Sequence, residues 1–448
     1  MSNQDWLTRS TQAVWHPCTQ MKRHERFPLV PIARAEGAWL SDFDGKRYLD
    51  AVSSWWVNLL GHGHPRIKQA IRTQLDQLEH VMLAGFTHRP VIELSERLAA
   101  LTGLGHAFYG SDGASATEIA LKMSFHYWKN SGKGEKCRFI SLENSYHGET
   151  VGALAVTDVP LFSATYAPLL QRAIRVPTPD ARLAQSDETP SAVALRAARA
   201  LENVLRKHAG ETAALILEPL VQGAAGMAMY HPDYLREARR LCDQYQIHLI
   251  ADEIAVGFGR TGTLFACEQA NIRPDFLCLS KGITGGFLPL SCVLTTDEVY
   301  QAFYSDDVRD GFLHSHSYTG NPLACSAALA VLDTLQEEDI LALNRDKAER
   351  FSRLMQPLAT RGDVRHFRHQ GMIWAFDVET ERGDFALAFF AAMLQRGCLL
   401  RPIGQSVYFM PPYCLTDSEM SQLIEATCLT LDHLAQGRTE GAAQPPLP

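Results

Sequence analysis

The chain has 448 residues, 46% hydrophobic and 21% charged, with a formal net charge of −8. That is globular composition, long enough for two domains, and it leaves no basic excess to release counterions from nucleic acid or an anionic membrane. No uncharged apolar run approaches the roughly 18 residues needed to span a bilayer. Met1 to Trp6 carries no basic segment leading into an apolar core, so it does not read as a signal peptide. Ten cysteines lie scattered without CxxC pairs, several inside apolar runs (Cys278, Cys292). They read as reduced core thiols of a cytoplasmic protein, with neither a disulfide framework nor a metal site.

In chain order, His106–Tyr109 is a strand candidate, and Ala116, Ile119, Ala120 and Met123 then recur at helical spacing. Between them, Gly110 to Ser115 are small or capping residues. Free amides at a helix N-terminus favour an anion, so this stretch is either a phosphate cradle or a Gly-rich turn with a Ser cap. Arg138–Leu142 is a second strand, followed by Tyr146 and His147, which either stack on a flat heteroaromatic ring or pack as core aromatics. Pro177 to Ser191 is polar and reads as a surface loop. Ala213–Leu217 is a third strand, ending in Glu218 and Pro219. Pro232 opens a helix with Leu235, Ala238, Leu241 and Cys242 on one face, since Pro suits the first helical turn.

Ile247–Ala251 is a fourth strand, ending in Asp252 and Glu253. A carboxylate at a buried strand end is costly unless it meets a cation or donor. A protonated pyridine nitrogen is a fitting partner for Asp252; the alternative is a cap on the next turn. Strand alternation would put Ile254 on the same side as Asp252, as an apolar floor under a ring. Phe276–Leu279 is a fifth strand, followed by Ser280, Lys281 and Gly282, and Ser291–Thr295 is a sixth. From about Gly437 to Pro448 the chain has no apolar periodicity and is expected to be disordered.

Strands alternating with helices over some 200 residues imply a mostly parallel sheet covered on both faces, with ligands at the carboxyl ends of the strands. A lone strand-end lysine would snorkel to water. Lys281 is accompanied by a carboxylate, a candidate phosphate cradle and candidate ring-packing residues at successive strand ends. Pyridoxal-phosphate (PLP) chemistry needs those four parts together.

Asp252-Glu-Ile, then Gly257-Phe-Gly-Arg-Thr-Gly262, then Ser280-Lys-Gly resembles the signature of the class III aminotransferases of fold type I, over about Trp15 to Leu431. Trp15–Met21, Ser53–Trp56, Gly61–Pro65, His314–Pro322 and Tyr408–Tyr413 further resemble the members that move an amino group from S-adenosylmethionine to 8-amino-7-oxononanoate in biotin biosynthesis. The alternative is a class III enzyme acting on another omega-amino acid or a diamine; a binding module without turnover is opposed by the intact Lys281 and Asp252.

The resemblance implies an α/β PLP-dependent transferase fold, type I: a large domain over 65–330 with a mostly parallel central sheet, and a smaller α+β domain from 1–64 and 331–436. It implies a Schiff-base role for Lys281, Asp252 on the pyridine nitrogen, cradle amides at Gly113 and Ala114, and Tyr146 against the ring. Trp55 and Tyr408 then belong to the substrate pocket, and Arg401 binds the substrate carboxylate. Glu218 matches a glutamate that pairs with such an arginine in related enzymes. Ser315, His316 and Ser317 reach the cofactor phosphate of a neighbouring subunit in a homodimer. Cys18, among the substrate-binding positions, stands where a resembling enzyme has Tyr, and Ser317 keeps a hydroxyl for the phosphate.

Overall fold

A computed structural model describes residues 1–25, 27 and 29–436. The segment from Gly437 onward, expected to be disordered, lies outside the described residues. The chain forms two compact units: Pro65–Arg345 with Gln370–Met372, and Met1–His64 with Asp346–His369 and Ile373–Pro448. The expected second boundary at 331 falls inside the helix Pro322–Glu337, which stays with the large unit. Its alanine-rich apolar surface packs on the helices Pro65–Leu75 and Arg89–Thr102, and dividing the chain there would expose that surface to water.

The large unit is organised by seven strands: β1 His106–Gly110, β2 Arg138–Leu142, β3 Ile174–Val176, β4 Thr212–Leu217, β5 His248–Asp252, β6 Phe276–Leu279 and β7 Ser291–Thr295. Their order across the sheet is β1-β7-β6-β5-β4-β2-β3. All neighbours pair in parallel except β7, which is antiparallel to both β6 and β1. Every residue of β4, β5, β6 and β7 is buried, so these strands read as continuous apolar runs rather than alternating ones. Strand β3 has three residues, too few to stand out in the sequence.

The helix Gly113–Asn130 covers the sheet with Ala116, Ile119, Ala120 and Met123, which join Ile216, Ile250, Phe276 and Val293 in one core. Its N-cap is Asp112, whose Oδ1 accepts the Ser115 amide at 2.9 Å; Ser115 is a capped residue and not the cap. Pro232 takes the N-cap of the helix Asp233–Tyr245, one residue earlier than expected.

The stretch 177–191 is not simply a surface loop. Thr178 and Asp180 are buried, Thr178 bonds Gln222, whose amide donates to the Glu143 carbonyl at 3.0 Å, and a helix already begins at Pro190. Polar side chains are satisfied there by partners some 40 to 80 residues away, which local composition does not show.

In the smaller unit, Ile32–Glu36, Trp39–Asp42, Arg47–Asp50 and Cys398–Leu399 form a sheet in that order, the last strand parallel to its neighbour. Ile373–Val378 pairs antiparallel with Ser406–Phe409. The helices Phe385–Gln395 and Asp417–Gln436 pack on one another. All ten cysteines are free thiols, with Cys278 and Cys292 buried.

Candidate active site

Strands β4, β5 and β6 are parallel neighbours, so their carboxyl ends deliver Glu218, Asp252 and Ser280–Lys281 side by side. Asp252 is 4% exposed. Its Oδ2 lies 2.7 Å from His147 Nδ1. An ionised Asp252 fixes the proton on that nitrogen. His147 is itself buried and held by its backbone: its N–H donates to Thr157 Oγ1 at 3.0 Å and its carbonyl accepts from Thr117 Oγ1 at 2.8 Å. Its other ring nitrogen, Nε2, is buried with no hydrogen-bond partner among the described residues. The sequence suggested His147 as a ring-stacking or core aromatic; its place is beside the carboxylate. Its position next to Tyr146 was the signal for its being at the site, but the pairing with Asp252 spans 105 residues.

Ile254 does not reach its position by strand alternation. The strand stops at Asp252, and the chain turns with the Ile254 N–H donating to Asp252 Oδ1 at 3.1 Å. The Ile254 side chain still lies against the cradle: a Cβ on Gly113 would come within 3.0 Å of its Cγ2. The amides of Gly113 and Ala114, at the mouth of an 18-residue helix, have no acceptor among the described residues. Two free amides at a helix N-terminus, with no side chain in front of them, suit an anion.

Glu218 is buried, its Oε1 accepting the Tyr146 N–H at 3.0 Å and its Oε2 the Gly223 N–H at 2.9 Å. Burial pushes its carboxyl up to about 7, with His147 opposing and Asp252 adding to the rise. Glu253 serves the backbone: it accepts the Ala266 and Cys267 amides at 2.6 and 2.8 Å, capping the turn Ala266–Ala270. Lys281 has φ 45°, in the left-handed region. Desolvation lowers its ammonium to about 8, while the carboxylates of Asp252 and Glu218 pull the other way. An amine so placed is far more often neutral near pH 7 than a surface lysine, and hence nucleophilic.

Tyr146 donates its hydroxyl hydrogen to Glu149 at 3.0 Å and meets Phe162 edge-on at 5.7 Å. In the loop before the helix Pro322–Glu337, Ser315 and Ser317 are exposed and His316 is half-buried. His316 Nε2 is 2.9 Å from His314 Nε2, and His314 Nδ1 is 2.8 Å from Lys122 Nζ. An apolar cavity of about 310 Å³, lined by Phe108, Tyr300 and Phe303 among others, opens at the far end of β1 and contains none of these groups.

The smaller unit holds Cys18, Trp55, Arg401 and Tyr408, whereas Tyr146, Lys281 and Ser315, also expected to meet substrate, lie in the large unit. Ser53, Ser54, Trp55 and Trp56 have φ of 52°, 47°, 72° and 72°. Trp56 N donates to the Val52 carbonyl and Val57 N to that of Ser53, so the segment is one turn of left-handed helix. For L-residues that conformation costs roughly 1–2 kcal/mol each. Trp56 is buried and donates its indole N–H to the Tyr408 hydroxyl at 3.1 Å; burial pushes that phenol up to about 12. Trp55 is 50% exposed, and the Arg401 guanidinium lies over its ring at 5.6 Å. Arg401 is exposed and pairs with no carboxylate among the described residues. Cys18, exposed with φ 54°, lies in the same unit.

The large unit thus presents an amine and a buried carboxylate at adjoining strand ends, and two free helix amides beyond the end of the edge strand β1. That donor set fits PLP: free amides for the phosphate, with a glycine whose Cβ would crowd Ile254, and a carboxylate held by His147 for a pyridinium. The fold is that of the PLP-dependent transferases of fold type I, and the chain belongs to the class-III aminotransferases. The family model "Aminotransferase class-III" matches residues 20–431. An adenosylmethionine-8-amino-7-oxononanoate aminotransferase of Helicobacter pylori is 46% identical over 95% of this chain and 97% of its own length. Among solved structures, an enzyme of that same name from Methanocaldococcus jannaschii has a TM-score of 0.90 at 34% identity, covering 96% of this chain and 99% of that one. An amine transaminase from an uncultivated Pseudomonas species, in its PLP-bound form, has a TM-score of 0.88 at 32% identity, covering 94% and 98%.

Proposed function

We propose that this aminotransferase moves an amino group from S-adenosylmethionine to 8-amino-7-oxononanoate, giving 7,8-diaminononanoate in biotin biosynthesis. The reaction is that of the 46%-identical relative. The observation that carries the assignment to this chain is Arg401, a guanidinium over an apolar ring that pairs with no carboxylate among the described residues. An acceptor with a long apolar chain ending in a carboxylate matches both halves of that pair, and an Arg fork suits a carboxylate better than a Lys does. Trp55 is the wall for the chain, with Tyr408 behind it through Trp56; Cys18 belongs to the same pocket.

PLP, when bound, supplies the electron sink that lets an amine's C–H bond break. The protein's part is holding and proton handling. The Gly113 and Ala114 amides would hold the phosphate, Ile254 and Tyr146 would pack against the ring, and Asp252, oriented by His147, would be the carboxylate partner of the ring nitrogen. Lys281, lowered to about 8, takes and returns a proton at Nζ within the working pH range. Glu218 is the nearby carboxyl available to an incoming cationic group. Ser315, His316 and Ser317 serve the cofactor phosphate of a second copy, making the working enzyme a homodimer, and the setting is the cytoplasm.

The test is a panel of amino donors run against 8-amino-7-oxononanoate, with product identified by mass. Turnover with S-adenosylmethionine well above lysine, ornithine and 4-aminobutyrate is expected. Efficient use of a small omega-amine with a simple keto acid, and none of 8-amino-7-oxononanoate, would instead make this chain an amine transaminase.

A further inference from the structure

We propose that the left-handed turn Ser53–Trp56 is a strained positioning device for acceptor recognition, and that buried Asp50 is the positioning residue that holds it. The proposal rests on reading Trp55 and Arg401 as acceptor-binding groups.

Four consecutive non-glycine residues at positive φ persist only where their surroundings over-determine them. Those surroundings are identifiable. Asp50 is 0% exposed. Its Oδ1 accepts the Val52 N–H at 3.2 Å and its Oδ2 accepts the Ser54 hydroxyl at 2.7 Å. Half-buried His62 brings Nε2 to 3.3 Å from the same Oδ2 and to 3.4 Å from Ser54 Oγ. One residue earlier, Ser53 Oγ donates to the Met410 carbonyl at 2.7 Å, and Met410 N donates to the Ala51 carbonyl at 2.9 Å. Trp56 is pinned through its indole N–H to Tyr408. One carboxylate therefore ties the residue before the turn to the second residue within it, while Met410, just past the strand Ser406–Phe409, fixes the first and Tyr408 within that strand fixes the last.

The consequence is local and directional. The clamp divides two adjacent tryptophans between two tasks: Trp56 is buried as the anchor, and Trp55 is held outward with Arg401 over its ring. Nothing in Ser-Ser-Trp-Trp favours positive φ, and glycine would adopt it without steric cost. A turn needed only for chain reversal would be relieved by glycine with no functional loss. A turn needed to aim Trp55 would lose its aim.

Ser54→Gly separates the two cases, because it removes both the strain and the hydroxyl that Asp50 holds. In the holoenzyme, its melting temperature should equal or exceed that of the parent. The acceptor KM, and the Kd for nonanoate by titration calorimetry, should rise about tenfold, the loss of one well-placed contact. The rate at saturating acceptor should stay within about twofold, as expected when binding alone is weakened. Asp50→Asn, which keeps an oxygen for Val52 but puts an amide toward Ser54 or His62, should move KM and the nonanoate Kd in the same direction. If Asp50→Asn is too unstable to assay, Ser54→Gly decides alone. Unchanged acceptor KM and nonanoate Kd in Ser54→Gly, the outcome for a turn needed only for chain reversal, overturn the proposal, as does a fall in kcat and melting temperature together, which disruption of the surrounding fold would give. Arg401→Ala separates this from the underlying reading. If it raises acceptor KM and the turn variant does not, the turn alone is misread; if it has no effect on the acceptor, the assignment of the acceptor groups itself fails.

Discussion

Arg401→Ala should weaken the acceptor far more than the donor. Arg401 is exposed and forms no ion pair with a described carboxylate, so truncating it strands no buried charge. Folding loses one exposed cation–π contact with Trp55, worth roughly 0.5–1 kcal/mol. The acceptor loses the partner of its carboxylate. Truncating one member of a desolvated charge pair costs about 2–5 kcal/mol, and the exposure of this guanidinium places the loss near the lower end. About 2 kcal/mol corresponds to roughly a thirtyfold rise in the acceptor's KM. The half-reactions can be followed separately: donor alone, as loss of the cofactor's visible absorbance, then acceptor alone, as its return. The first should run at the parental rate and the second should need roughly thirtyfold more acceptor. Arg401→Lys should recover only part, since a point charge cannot make the bidentate pair. If the donor half suffers equally, one arginine serves both substrates. If neither half changes, the substrate assignment loses its physical support.

Lys281→Ala should abolish turnover while leaving the circular dichroism spectrum and melting temperature close to the parent's, because a desolvated ammonium contributes little to folding; near-normal activity would refute its role. Asp252→Asn should keep the Ile254 amide bond yet slow catalysis more than tenfold, about 1.4 kcal/mol. With that charge gone, Lys281 should also titrate lower still and Glu218 below its present value of about 7, both visible in pH titrations. Glu218→Gln tests the buried carboxyl directly. Its folded pKa lies above its ordinary value of 4.5, so its contribution to stability is full below about pH 4.5 and is lost as pH rises through about 7. Between pH 5 and 8 the parent should therefore lose up to about 3 kcal/mol that the Gln variant does not lose. Parallel pH slopes in urea unfolding of the two proteins would show that the carboxyl is not raised.

Much of the large unit was legible because burial leaves a local record. Strands covered on both faces read as short apolar runs, and six of the seven in the sheet were found that way; β3 was not, because three residues carry no pattern. The residues just past those runs were legible for the same reason. A lysine or carboxylate ending an apolar strand stands out against it, so Lys281, Asp252 and Glu218 could be named without knowing what surrounds them.

What surrounds them was decided by the tertiary structure. His147 meets Asp252 across 105 residues, and Glu218 binds the Tyr146 amide across 72. Arg401 lies over Trp55, and Trp56 bonds Tyr408 across 352 positions. Ile254 faces Gly113 because a turn after Asp252 is held by a single side-chain bond, where alternation alone would have placed it by a different route. The helix Pro322–Glu337 joined the large unit because its partners were there. The left-handed turn Ser53–Trp56 is the furthest from local preference: no residue in it favours that conformation, and Asp50, Met410 and Tyr408 impose it. Apolar periodicity is a property of neighbouring residues and so is written in the sequence. The choice of polar partner, and the strain a backbone is made to bear, depend on which distant groups arrive within 3 Å, and packing alone determines that.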